Sequence, residues 1–449
     1  MLDGLIVVSI TLLFLLSGMP LVFAFGISGL ICGLLLGGSG SITMLAQVIY
    51  HSVDSFELLT IPLFVFMGIV ITVAPAGRDL YEAIHRFLYK VPGGIAISNI
   101  FACTIFAAMS GSSPATAAAI GTSGIPEMRK RGISDSLACG TIVGGGTLGI
   151  LIPPSITLIV YGVATEISIG QLFIGGIVPG IIISLAFCCW IMICMYYARR
   201  RGQRRAATDR ETEALAKEHY SWSEKMQYLP KTVPFIILIA FILYSIYFGV
   251  ATPSEAAAIG ALGSIVLSLI FYRAYITKGN AMEVMRATAN QTGMLMLIAT
   301  TTMFFSNVMT EIGLTQQLAN LAGSVQTSKW ATLAMINLIL IFMGAFLPPF
   351  VIILLTAPLL LPLIKNLGFD PIWFGVIMSV NMEIGCISPP FGLNLFVVKG
   401  IAPDVQMPTI LRGSAAFAVI LMLSIMAFSV FPELVLWLPN KMAAATMAK

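Results

Sequence analysis

Residues 106–162 read FAAMSGSSPATAAAIGTSGIPEMRKRGISDSLACGTIVGGGTLGILIPPSITLIVYG, and two places in this stretch do not belong in an unbroken membrane helix. The first is SGSSPAT, small hydroxyl residues around Gly111 and Pro114 in the middle of an apolar run. The second is GGGTLGILIPPS, Gly144 to Ser155, where glycines and a proline pair are expected to interrupt the backbone ladder. Backbone freed from a helix at membrane depth is tolerated only where it is buried in protein or lines a wet cavity. Two breaks so close together are therefore read as parts of one binding site rather than as kinks.

Working outward, the whole chain carries the same character. It has 449 residues, 58% hydrophobic and only 10% charged, with a mean hydropathy of +0.96, the profile of a polytopic membrane protein in contact with the lipid bilayer. A large soluble domain is not expected, because the longest polar stretch is a mixed-charge segment, 199–228, read as a cytoplasmic linker between two halves. The opening MLDGLIVVSITLLFLLSG lacks a basic start and a small-residue cleavage site, so it is read as a retained membrane segment. Seven cysteines all sit in apolar stretches, which argues against disulfides and a metal cluster. No basic run carries interleaved aromatics, so nucleic acid is not an expected partner.

Residues 4–37 would make about 50 Å of helix at about 1.5 Å per residue, more than about 30 Å of hydrocarbon needs, so a turn at Gly18-Met19-Pro20 is expected. An interfacial connector, 38–55, and a crossing at 56–75 follow. The segments 76–92, with Arg78, Arg86 and Lys90, and 127–134, with Arg129, Lys130 and Arg131, both read as cytoplasmic loops. The stretch between them must then enter and leave on one side, which makes 93–126 a re-entrant hairpin with SGSSPAT at its tip. A broken helix, 135–165, and a return crossing, 170–198, complete the first half, residues 1–198. The second half, 229–449, is read as crossings at 229–250, 253–272 and 290–308, a hairpin at 330–365 interrupted by GAFLPPF, a broken helix at 371–398 carrying GCISPPFG, and a last crossing at 409–437. Only Lys329, Lys365, Lys441 and Lys449 of the 24 Lys and Arg then lie outside, and both termini are periplasmic.

The landmarks of the two halves coincide. Pro126, Gly132, Gly149, Pro153 and Pro154 match Pro362, Gly368, Gly385, Pro389 and Pro390, all at one offset of 236 residues. The fold class is thus an all-α polytopic membrane protein of two repeats, each with about five crossings, one re-entrant hairpin and one broken helix. An odd number of crossings per repeat inverts the second relative to the first.

Half-helix ends meeting near the midplane bind ions of both signs: free N–H groups take an anion, and unwound carbonyls take Na⁺. The candidate ligands are Ser110, Ser112, Ser113, Thr116 and the carbonyls near Gly149 in the first half, and Gly344, Gly385, Ser388 and Asn394 in the second. Among them Ser112, Thr116, Asn394 and the break residues Pro154, Ser155 and Pro390 are the candidate substrate contacts. Packing of small residues is the competing explanation. No Arg or Lys falls in a core segment, so an anion would be held by dipoles and amides. Glu383, in VIMSVNMEIGC, is a candidate coupling carboxylate, with a structural bond to backbone as the other reading. His51, His85 and His219 lie in or beside loops without metal-ligand spacing and read as solvated.

The stretches SGSSPATAAAIG, GTLGILIPPSITLIVYG, ISIGQLFIGGIVPG, ATPSEAAAIGA and ISPPFGLNLF closely resemble the large membrane subunit of tripartite ATP-independent periplasmic (TRAP) transporters, within the wider ion-transporter superfamily. That resemblance implies an elevator-type secondary transporter in a bacterial or archaeal cytoplasmic membrane, driven by Na⁺, working with a small four-helix membrane subunit and a periplasmic substrate-binding protein to import organic acids such as dicarboxylates. It also implies Na⁺ ligands at Ser110, Ser113 and Gly149, and at Gly344, Gly385 and Ser388. One departure is plain: the family's second hairpin often carries an acidic residue shortly after its glycine, whereas Gly344 is followed by AFLPP. A stand-alone carboxylate carrier or Na⁺/H⁺ antiporter would share the hairpins and breaks. An intramembrane enzyme would need a catalytic constellation; HExxH and an intramembrane His are absent from the sequence.

Overall fold

The computed structural model describes residues 2–38, 40–54, 56–91, 93–200, 220–273, 278–314, 317 and 328–447. Most of the linker 199–228, and with it His219, lies outside them. The described chain is helical throughout. Helices α1 (Leu2–Leu16) and α2 (Leu21–Cys32) are separated at Ser17–Pro20, where Gly18 adopts a positive φ of 77°. Then come α3 (Gly40–Val53), α4 (Thr60–Val73) and α5 (Ala76–Leu88). The segment 76–92 is therefore no loop. Its charges mark an amphipathic helix, with Asp79 and His85 buried and Arg78 on the exposed side.

Helices α6 (Gly94–Ser110) and α7 (Ser113–Lys130) pack on each other as a hairpin joined by Gly111-Ser112. Helix α8 (Asp135–Leu151) ends at Ile152-Pro153-Pro154-Ser155, and α9 (Ile156–Thr165) resumes; α10 (Ile169–Arg200) follows. After the linker come α11 (Trp222–Met226), α12 (Leu229–Tyr247), α13 (Pro253–Phe271) and α14 (Lys278–Glu311). A second helical pair, α15 (Lys329–Gly344) and α16 (Pro349–Asn366), precedes α17 (Pro371–Ile387) and α18 (Leu393–Ile401), and α19 (Met407–Val430) and α20 (Glu433–Met447) close the described chain. Eight helical stretches are long and apolar enough to cross a membrane among the described residues, and 135–165 is one of them. The protein is a multi-pass membrane protein.

Local chemistry sets the boundaries. Asp370 accepts from the N–H groups of Ile372 and Trp373 at the start of α17, and Thr252 and Glu255 cap each other's backbone at the start of α13. Prolines occupy the first turns of α7, α13, α16 and α17, where their missing N–H costs nothing. The glycine run Gly144–Gly149 does not break α8, which stays helical to Leu151. These glycines serve close packing instead. A Cβ at Gly144 would sit 2.5 Å from the Phe417 ring, and one at Gly140 would sit 2.4 Å from the Gly413 carbonyl of α19.

Helices α8 and α17 form the centre, buried without interruption over Ala138–Leu151 and Trp373–Ile387. Around them pack α6, α7, α15, α16 and α19. The two breaks are crossed over: α9 packs on α16, and α18 packs on α7. On the other side α2, α3 and α4 pack on α14, and α4 on α13. Helix α5 bridges these groups. Asp79 accepts from the Tyr272 hydroxyl at 2.9 Å and lies 3.7 Å from Lys231, and the His85 ring approaches Arg131 of the first hairpin at 3.3 Å. His85 is thus a packed core residue, and its reading as solvated is corrected.

Candidate functional site

The first hairpin turns where Gly111 takes a φ of 61°, a left-handed conformation that glycine alone adopts without strain. A Cβ there would also strike the Pro154 carbonyl at 2.6 Å, and the Gly111 carbonyl accepts from Ile156 N–H at 3.4 Å. The tip is thereby seated on the first break. Gly149 completes the seat, since a Cβ on it would meet the Ser112 carbonyl at 2.6 Å and the Ser113 nitrogen at 2.8 Å.

Inside the tip, Ser110 Oγ and Thr116 Oγ1 lie 2.9 Å apart, and Thr116 Oγ1 donates to the Ser112 carbonyl at 2.8 Å. Ser113 Oγ donates to Asn394 Oδ1 at 2.9 Å, and Asn394 Nδ2 donates to the Val143 carbonyl at 3.2 Å. Asn394, fully buried on α18, therefore ties the second break to both partners of the first. The Ser112 side chain makes no cap on α7. The first-turn N–H groups of Ser113 and Ala115 thus lack a helical partner, and the positive end of the α7 dipole is bare. Ser155 is spent locally, donating to the Ile150 carbonyl and accepting from Leu158 N–H at 3.4 Å.

The second tip is built differently. Gly344 and Gly385 touch backbone to backbone, with a Cβ at Gly385 only 2.6 Å from Gly344 Cα. The Ala345 carbonyl accepts from Phe391 N–H at 3.1 Å, which clips this tip to its break as Gly111 clips the first. Ser388 Oγ donates to the Ile384 carbonyl of its own helix at 2.7 Å. Pro390 is exposed, unlike buried Pro154. Glu383 is fully buried on α17, and neither carboxylate oxygen has a hydrogen-bond partner among the described residues.

A cavity of about 140 Å³ opens between the two tips, lined by Gly111–Pro114, by Ile150, Ile156 and Thr157, by Pro349 and Phe350, by Cys386 and Leu393, and by Gln291, Met294 and Leu295 of α14. Of the expected substrate contacts, Ser112 lines this space, with Ser113 beside it; Thr116, Pro154, Ser155, Pro390 and Asn394 do not. Thr157 and Gln291 were missed in sequence. Gln291, a polar residue in an otherwise mixed helix, carries no spacing signal, because α14 reaches the cavity only through its tertiary packing on α16.

Comparison with known proteins agrees with this architecture. The sequence model of the tripartite ATP-independent periplasmic transporter, DctM component, matches residues 8–434. The C4-dicarboxylate TRAP transporter large permease protein DctM of Pseudomonas aeruginosa is 36% identical over 415 residues, 92% of this chain and 93% of that protein. The isethionate TRAP transporter permease protein DctMQ of Oleidesulfovibrio alaskensis is 35% identical over 390 residues, 87% of this chain and 59% of that protein. Among solved structures, the YdaH transporter of Alcanivorax borkumensis superposes with a TM-score of 0.56 over 91% of this chain and 89% of that one, at 14% identity, a likeness of fold alone. With the family matched along almost the whole chain and the tips and breaks packed together, this protein belongs to the TRAP transporter family as its large permease subunit.

Proposed function

We propose that the chain carries out Na⁺-coupled import of an organic acid handed to it by a periplasmic substrate-binding protein, in complex with a small four-helix membrane subunit, in a bacterial or archaeal cytoplasmic membrane. The observation that carries this reading is the seating of the bare α7 N-terminus on the first break, beside a cavity closed on the far side by the second tip. Anion and cation sites share that geometry. Helix N–H groups at Ser113 and Ala115 face the acid, while carbonyls and hydroxyls at Ser110, Ser113 and Gly149, and at Gly344, Gly385 and Ser388, offer oxygen to Na⁺. Glu383, buried and unpaired, is the coupling carboxylate in this scheme.

The chain is read as two inverted repeats, 1–198 and 229–449, with both termini periplasmic. Supporting this, α7 and α8 begin at Ser113 and Asp135 while α16 and α17 begin at Pro349 and Pro371, the same 236-residue offset seen in the glycines and prolines. The hairpins, breaks and α19 then move as one body against α2–α4 and α12–α14, an elevator with α5 as its arm. Reconstitution tests the whole reading: the chain and its small subunit in proteoliposomes, an inward Na⁺ gradient, and binding protein loaded with candidate acids. Uptake that requires both Na⁺ and binding protein is the expected result. Uptake without the binding protein would make it a stand-alone carrier.

A further inference from the structure

Ser110, Ser113 and Ser388, the serines proposed to offer oxygen to Na⁺, all give their hydroxyl protons to the protein. Only lone pairs then remain for an ion. Ser388 does this within its own helix. At the first tip the protons go to two other side chains, and we propose that these, Asn394 and Thr116, are positioning residues that aim the oxygens of Ser113 and Ser110 at the cation. The inference rests on the Na⁺-coupled reading and deepens it. Both residues read as substrate contacts in the sequence, and neither lines the cavity.

The direction of each hydrogen bond follows from what its last member can do. The Val143 carbonyl can only accept, so Asn394 turns its Nδ2 to α8, at 3.2 Å, and its Oδ1 to Ser113 Oγ, at 2.9 Å. The amide is thereby fixed, and Ser113 must donate. In the same way Thr116 Oγ1 donates to the Ser112 carbonyl at 2.8 Å, so in its 2.9 Å contact with Ser110 the serine is the donor. Ser112 N–H approaches Ser110 Oγ at 3.5 Å, which leaves that oxygen one open lone pair.

Asn394 and Thr116 are fully buried, and Ser113 is 1% exposed. Gly146 makes room for the amide, since a Cβ there would lie 3.1 Å from Asn394 Nδ2. Without a fixed acceptor, a serine hydroxyl turns freely and can present its proton to a cation. Residues that hold a ligand from behind govern ion affinity for this reason. Asn394 belongs to α18, after the second break, so a ligand of the first tip is aimed by the other half of the chain.

A double-mutant cycle separates this role from simple packing. The full chain, purified in detergent, is titrated with NaCl at an ionic strength held constant with choline chloride, and the half-maximal Na⁺ concentration is read from thermal stabilisation. Asn394→Leu, similar in size but without a polar atom, should raise that concentration by about tenfold or more. Ser113→Ala should also raise it, and adding Asn394→Leu to Ser113→Ala should change it by no more than about twofold, because the hydroxyl to be aimed is gone. Asn394→Asp keeps an oxygen toward Ser113 and should need no more Na⁺ than the unaltered chain. Thr116→Val with Ser110→Ala forms the same cycle on the other pair, and decides the matter if Asn394→Leu does not fold. An unchanged Na⁺ response in folded Asn394→Leu or Thr116→Val, or effects that simply add in the double variants, would overturn the positioning role and leave the Na⁺ reading standing. No response to Na⁺ by the unaltered chain, or a response unaffected by Ser113→Ala and Ser110→Ala, would overturn the Na⁺ reading at this tip and the inference with it.

Discussion

The two hairpin tips solve the same geometric problem with opposite chemistry. Each joins two helices by a short turn that rests against a helix break, and each does so by a glycine contact and one backbone hydrogen bond, Ile156 to Gly111 in the first and Phe391 to Ala345 in the second. At the common offset, Ser110-Gly111-Ser112-Ser113-Pro114 stands where Phe346-Leu347-Pro348-Pro349-Phe350 stands in the other. The first is a set of hydroxyls and free N–H groups. The second is prolines and aromatics, with the Phe346 and Phe391 rings 6.2 Å apart. Backbone geometry is therefore shared between the two tips, while hydroxyl side chains are concentrated in one of them.

The sharpest way to break that comparison is to copy one tip into the other. Ser113→Pro puts the residue of position 349 at the matching first helical position, which tolerates proline, but removes an N–H and the hydroxyl that holds Asn394. Uptake should fall by at least about a hundredfold, since the Ser113–Asn394 hydrogen bond and the N–H proposed to hold the acid, at about 1–3 kcal/mol each, are both lost. The reciprocal Pro349→Ser should leave uptake within about threefold of the unaltered chain, because it removes no existing polar contact.

Next in size is Gly149→Ala. Its methyl would lie 2.6 Å from the Ser112 carbonyl, so the tip must lift off the break. A melting temperature lowered by several degrees, with uptake lost, is expected from overpacking of about 1–3 kcal/mol. Ser388→Ala is milder for stability, because Ser388 bonds only to its own helix. Its effect should show as a raised Na⁺ concentration for half-maximal uptake.

The smallest effect lies away from the tips. Arg129 joins Asp404, with Nη1 to Oδ1 at 3.2 Å, and Asp135 at 2.8 Å, tying the base of the first hairpin to the end of the second broken helix. The Arg129 hydrogen bond holds the Asp404 carboxyl below its ordinary range. That contribution is complete above the ordinary carboxylate range and is lost as pH falls through the lowered value. Because Asp404 is exposed, Asp404→Asn should lower the melting temperature only slightly at neutral pH, and the difference should vanish at high salt.

Much of this was legible in the chain because glycine, proline and serine punctuate apolar sequence so strongly. SGSS and LPP mark the tips, and the two proline pairs mark the breaks. Other features were not legible. The Gly144–Gly149 run announced a break, yet α8 passes through it unbroken; its glycines answer to Phe417 and Gly413, which sequence proximity cannot show. Residues 76–92 read as a loop because their charges mimic one, while their apolar face meets the first hairpin. The Ser113–Asn394 bond joins residues 281 positions apart, and Gln291 enters the cavity from a helix with no irregularity at all. Contacts of that range are set by tertiary packing.

The most direct test of the account is uptake measured side by side for the unaltered chain and Ser113→Pro, each reconstituted with the small subunit and given a Na⁺ gradient and loaded binding protein. The account predicts concentrative uptake that requires the gradient and the binding protein in the first, and uptake reduced at least about a hundredfold in a correctly inserted second. Equal uptake by the two proteins would contradict it, because the donors at the first tip would then not be what holds the substrate.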